Sequence, residues 1–148
     1  MIKPQFEETL KLEGNSRGFT YKGYACAIKR VRPETSGHLC GYIHIPSGHK
    51  LHGMDYDDIE KLYDYELPAH GGLTFSGYID YEYWIGFDCS HLGDVIPCED
   101  EIFSSLSIER FESGTYKDMD YVTENIKGII DFIENKNNLQ GGDLLIDY

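Results

Sequence analysis

Leu73-Thr74-Phe75-Ser76-Gly77-Tyr78-Ile79-Asp80-Tyr81-Glu82-Tyr83-Trp84-Ile85-Gly86-Phe87-Asp88 is the stretch on which the fold turns. Residues 73–78 and 81–88 are two strand-like runs, rich in aromatic and β-branched side chains, separated by Ile79-Asp80. Such runs around a short polar break predict an antiparallel hairpin, and this one is assigned to the sheet's centre. Because side chains alternate across a strand, Tyr83 and Trp84 cannot both face inward, and one of them is free to line a pocket.

Outward from the hairpin, residues 19–31 carry aromatic and β-branched residues with partial alternation, read as one or two strands broken at Gly23. Residues 40–46 form another strand, closed by Pro46, which cannot donate to a ladder. Residues 55–62 open with Asp55, Asp57 and Asp58 and are read as a surface turn or short helix. Residues 6–13 are too brief to separate a helical turn from an edge strand. The firmest helix has apolar residues at Val122, Ile126, Ile129, Ile130 and Ile133, spaced to make one stripe. Asp118 or Asp120 caps its start. Asn137, Asn138 and Gly141-Gly142 are expected to end it, leaving Leu144-Leu145-Ile146 to add a short strand or dock. These elements predict an α+β fold in which an antiparallel sheet of about four to six strands carries one long C-terminal amphipathic helix packed on one face.

The chain of 148 residues fits one domain, 1–148, and 41% hydrophobic residues with 12 Tyr, 7 Phe and 1 Trp suffice for a packed interior. With 26 Asp+Glu against 13 Lys+Arg the formal charge is −13, which repels phosphate backbones and anionic membranes. General nucleic-acid binding and membrane attachment are therefore disfavoured. The first residues lack a signal peptide's basic and apolar regions, and nowhere do about 18 apolar residues run together, so a cytoplasmic protein is expected. Cys26, Cys40, Cys89 and Cys98 are accordingly read as free thiols, mostly buried.

Two clusters carry ionisable residues at strand ends. In His70-Gly71-Gly72-Leu73-Thr74 the paired glycines permit close backbone approach or present amides to an anion, while His70 and Thr74 supply side-chain hydrogen bonds; a plain glycine turn beside an exposed histidine is the competing reading. In the second cluster Asp88, His91 and Asp94 lie just beyond an apolar strand that contains Trp84. With His70 they make two imidazoles and two carboxylates, the ligand types of a divalent metal, although no defined zinc spacing is present. A structural zinc on Cys89, His91 and Cys98 is disfavoured, and Cys89 is better read as a small buried side chain than as a nucleophile. Lys29-Arg30-Val31-Arg32 is the one dense basic patch, able to favour a phosphate locally, though a solvated strand face is the commoner explanation.

The His70-Gly71-Gly72-Leu73-Thr74 segment and the later Trp84-x-Gly86-Phe87-Asp88-Cys89-x-His91-x-Gly93-Asp94 segment resemble a family of small bacteriophage and prophage proteins. Similarity extends to Cys40-Gly41-Tyr42, Pro46, Gly48-His49, Asp55-Tyr56-Asp57-Asp58 and residues 116–122, covering roughly residues 40–135. The family carries no settled biochemical role. Its setting implies an accessory factor acting on host defence, either a sponge for nucleotide signals or an enzyme that degrades them. The aromatic content and glycine turns suit the sponge, which needs stacking and satisfied hydrogen bonds.

The leading expectation is thus a non-enzymatic, cofactor-free protein in the host cytoplasm that sequesters a nucleotide-derived ligand such as a cyclic nucleotide or ADP-ribose. Its ligand-binding residues are His70, Gly71, Gly72, Thr74, Trp84, Asp88, His91 and Asp94. The alternative is a metal-dependent hydrolase using His70, Asp88, His91 and Asp94. Both place the two clusters at one sheet edge, tied by a His70–Asp88 or His91–Asp94 hydrogen bond.

Overall fold

In the computed structural model, residues 7–33, 36–90, 94, 96–97 and 116–146 are described, with side chains of the last helix described as far as residue 137. The elements run α1 (Glu7–Glu13), β1 (Ser16–Tyr21), β2 (Tyr24–Arg30), β3 (Leu39–His44), α2 (Tyr56–Leu62), β4 (Phe75–Ile79), β5 (Glu82–Asp88) and α3 (Met119–Ile146). The five strands form one antiparallel sheet in the order β1-β2-β3-β5-β4, and α3 packs against β1, β2 and β3. This is the expected α+β architecture, but the β4–β5 hairpin is not the sheet's centre: β4 is an edge strand and β3 is central, because β5 pairs with β3 on its other side. Residues 6–13, ambiguous as sequence, include the helix α1.

The β1–β2 and β4–β5 hairpins close on two-residue turns with positive φ at each central residue, Lys22 and Gly23 in the first and Asp80 and Tyr81 in the second. That is the type I′ pattern, whose twist matches paired strands. The second turn lies one residue later than the break read at Ile79-Asp80. Tyr81 occupies a position that favours glycine and is 99% exposed, so its ring contributes no burial. Tyr81→Gly is expected to raise stability by about 1 kcal/mol, read as an increased urea midpoint. A lowered midpoint would mean that the ring does more than the turn requires.

Alternation assigns the faces. Tyr24, Cys26, Ile28, Ile43, Tyr83, Ile85 and Phe87 are buried towards α3, whose Met119, Val122, Ile126, Ile129, Ile130 and Ile133 complete the core. The helix is capped by Asp118, whose Oδ1 accepts the Tyr121 amide at 2.8 Å, and by Glu13 Oε2, which accepts the Met119 amide at 2.8 Å. It does not stop at Asn137 or Gly141-Gly142 but continues to Ile146, so no terminal strand forms. A glycine costs a helix only about 1 kcal/mol, less than is needed to end a run whose hydrogen bonds propagate cooperatively.

Cys26, Cys40 and Cys89 are buried free thiols; Cys98 lies outside the described residues. No described helix is long and apolar enough to cross a membrane.

Candidate functional site

The loop before β4 folds back on itself through its glycines. Gly71 and Gly72 adopt φ of 69° and 88°, the Gly72 amide donates to the Ala69 carbonyl at 2.9 Å, and the Leu73 amide donates to Glu60 Oε2 at 2.9 Å. A Cβ on Gly72 would stand 3.1 Å from that same oxygen. The anion seated in this turn is therefore the protein's own Glu60 carboxylate. Thr74 is exposed, and its amide donates to the Gly86 carbonyl at 2.9 Å.

His70 meets a carboxylate, but not through either pairing expected from the sequence. Its Nε2 lies 2.8 Å from both oxygens of Asp94, which is 2% exposed. Since a carboxylate only accepts, Nε2 is the donor. Nδ1 is 2.8 Å from the Tyr121 hydroxyl, and Lys117 Nζ is 3.4 Å from Asp94 Oδ1. Asn125, one turn beyond Tyr121, accepts the His70 amide at 2.9 Å and donates to the Pro68 carbonyl at 2.7 Å. Two successive turns of α3 thus hold the loop. Sequence reasoning missed Lys117, Tyr121 and Asn125; the i, i+4 spacing of Tyr121 and Asn125 on a helix that also carries the apolar stripe was the signal available.

Cys89 is buried beside this cluster, and burial, reinforced by the Asp94 charge, pushes its thiol well above the ordinary range. Tyr121 is likewise raised, first by desolvation and then by Cys89 and Asp94. Neither group is activated as a nucleophile by these surroundings.

Asp88 takes the other face of the sheet, since Phe87 and Cys89 on either side of it are buried with the core. Its Oδ1 accepts the Ser90 amide at 3.3 Å and the Ser90 hydroxyl at 3.2 Å. His91 lies outside the described residues. Among the described residues no group of three or more His, Cys, Asp or Glu is placed to hold a metal ion.

Trp84 also faces away from α3, whereas Tyr83 is buried and donates its hydroxyl to the Met54 carbonyl. The strand register puts Trp84 opposite His44 and Gly77, and Gly86 opposite Tyr42 and Phe75. On this face lies a groove of about 380 Å³ lined by Ala27, Lys29, Tyr42, Ile79, Asp80, Glu82 and Trp84. Gly86 lies beside the Tyr42 ring across the strand pair: a Cβ there would stand 2.8 Å from that ring. Tyr42 meets Phe75 edge-on with centroids 5.8 Å apart, and burial pushes its phenol up to about 12. Trp84 packs against His44 at 5.3 Å.

The sequence-derived residues therefore fall in two places. His70 and Asp94 are joined under α3; Trp84 and Asp88 are on the face opposite α3. His70→Ala is expected to cost about 1–3 kcal/mol in thermal or urea unfolding, because Asp94 and Tyr121 lose a partner. A loss well below about 1 kcal/mol would show that these hydrogen bonds do not hold the loop against α3.

The described residues form an open five-stranded antiparallel sheet, with α3 on one face and the groove on the other. The chain matches no protein-family model, no curated protein and no solved structure.

Proposed function

We propose that this chain is a binding protein that sequesters a small nucleotide-derived ligand in the groove on the face of the sheet opposite α3. The observation that carries the reading is the groove's composition: Trp84 and Tyr42 offer aromatic surface, Lys29 a cation, and Asp80 and Glu82 hydrogen-bond acceptors. An aromatic wall with a few polar groups around it is what a planar heterocycle with a sugar and phosphate requires. The volume falls within the range of small-molecule sites, which runs from about 300 to 1,000 Å³. The resemblance to small phage proteins supports an accessory, anti-defence role, in which holding a signal molecule is sufficient.

Trp84 is the chain's sole tryptophan, so intrinsic fluorescence reads the groove directly. Titration with nucleosides, cyclic nucleotides and ADP-ribose is expected to quench or shift that emission saturably, with calorimetry giving the same affinity. Trp84→Ala should weaken calorimetric binding by about tenfold or more, the loss of one stacked ring. Folded protein that binds none of these compounds at about 1 mM, the limit of even weak specific affinity, would overturn the proposal.

A further inference from the structure

The groove's charges are unevenly placed. Lys29 shares a cross-strand row with Cys40 and Asp88, while Glu82 lies six residues before Asp88 on β5, beyond Trp84, with Asp80 in the adjoining turn. Among the described lining residues one cation, Lys29, is followed along the groove by the aromatic pair and then by two carboxylates. Asp88 stands on the same face as Lys29, and His44 Nε2 is 3.9 Å from Glu82 Oε2 beside the tryptophan. The whole chain carries −13.

We infer that the groove selects a guanine-type base bearing at most one negative charge, a class typified by a guanosine cyclic mononucleotide. This rests on the groove being the ligand site, as proposed above. Carboxylates only accept hydrogen bonds, and guanine presents two adjacent N–H donors, N1–H and the N2 amine, to a single carboxylate. Adenine offers one amine beside the N1 lone pair, which would face a carboxylate oxygen. At the other end one Lys29 ammonium balances one phosphate charge. Every further phosphate charge meets Asp88 and the acidic surface, with no second cation among the described residues that line the groove, and the repulsion weakens as salt is added.

The experiment is a titration of the full chain, read by tryptophan fluorescence and calorimetry, with guanosine, 3′,5′-cyclic GMP, 3′,5′-cyclic AMP, GMP and GTP as probes. Cyclic GMP is expected to bind tightest, with cyclic AMP and GTP each weaker by about tenfold or more, the scale of one bidentate base contact or one uncompensated charge. Glu82→Gln should erase most of the preference for cyclic GMP over cyclic AMP, and Lys29→Gln most of the preference for cyclic GMP over guanosine. Binding in which cyclic AMP equals cyclic GMP, in which affinity rises from GMP to GTP, or in which both preferences survive these substitutions overturns this inference and leaves the nucleotide-binding reading standing. Binding of none of the five, together with none of the wider set above, overturns both.

Discussion

Arg30→Ala is expected to lower stability by about 3–5 kcal/mol, the cost of leaving a largely buried carboxylate, Glu13, without its cation. The Arg30 side chain is 1% exposed and spends its donors on three segments at once. Nε and Nη2 donate to the Gly14 carbonyl at 3.2 and 2.8 Å, Nη2 lies 3.1 Å from Glu13 Oε1, and Nη1 donates to the Gly37 carbonyl at 2.7 Å. Nη1 also reaches the Tyr116 hydroxyl at 2.9 Å, which in turn donates to Glu13 Oε1 at 2.6 Å. Glu13's other oxygen accepts the first amide of α3. One guanidinium therefore joins α1, β2, the loop before β3 and the start of the long helix. Its loss should appear as a lower urea midpoint, and Arg30→Lys should recover only part of it, because a single ammonium cannot span the same partners. A change below about 1 kcal/mol, the worth of an exposed pair, would refute the role.

Gly86→Ala is the second large effect, expected at about 1–3 kcal/mol with an added loss of groove binding. The new Cβ would stand 2.7 Å from the Gly41 carbonyl oxygen and 2.8 Å from the Tyr42 ring. The carbonyl belongs to the neighbouring strand β3 and cannot retreat without disturbing the β3–β5 pairing, so Tyr42 is also pushed from its place in the groove. Gly41→Ala is the matched comparison. Its Cβ would meet the Phe87 ring at 2.7 Å and Val122 at 3.1 Å, on the core face. On the proposal that the groove holds a nucleotide, it should cost comparable stability while leaving that affinity of the folded protein in place. Unfolding curves and tryptophan titrations on both variants check the pair, and equal losses of binding would remove the distinction between the faces.

The β4–β5 hairpin and the long final helix were legible in the residues because each is a local, periodic signal, whereas residues 19–31 and 55–62 were legible only as one or two strands and as a turn or short helix. Ile126, Ile129, Ile130 and Ile133 form a stripe wherever the helix packs, and an alternating run such as residues 81–88 is a strand whichever neighbour it meets. That Tyr83 and Trp84 take opposite faces also followed from alternation. Which of them faces the helix did not, since both are large and amphipathic; the register against His44 and the packing of α3 chose Tyr83 for the core.

The charged residues divide differently. Lys29-Arg30-Val31-Arg32 reads as one basic patch along the chain, but adjacent strand residues point to opposite faces, so Lys29 lines the groove while Arg30 is buried among carbonyls and Glu13. The same period separates Asp88 from Cys89. Conversely, His70 and Asp94 are 24 residues apart, and nothing in their spacing pairs them; the loop held by Tyr121 and Asn125 of α3 does. Secondary structure depends on neighbours within one or two turns or a single hairpin, and the chain's own pattern carries it. Which polar side chains meet depends on strand order and on the helix that covers one side of the sheet, contacts between residues remote in sequence that form only when the whole core closes.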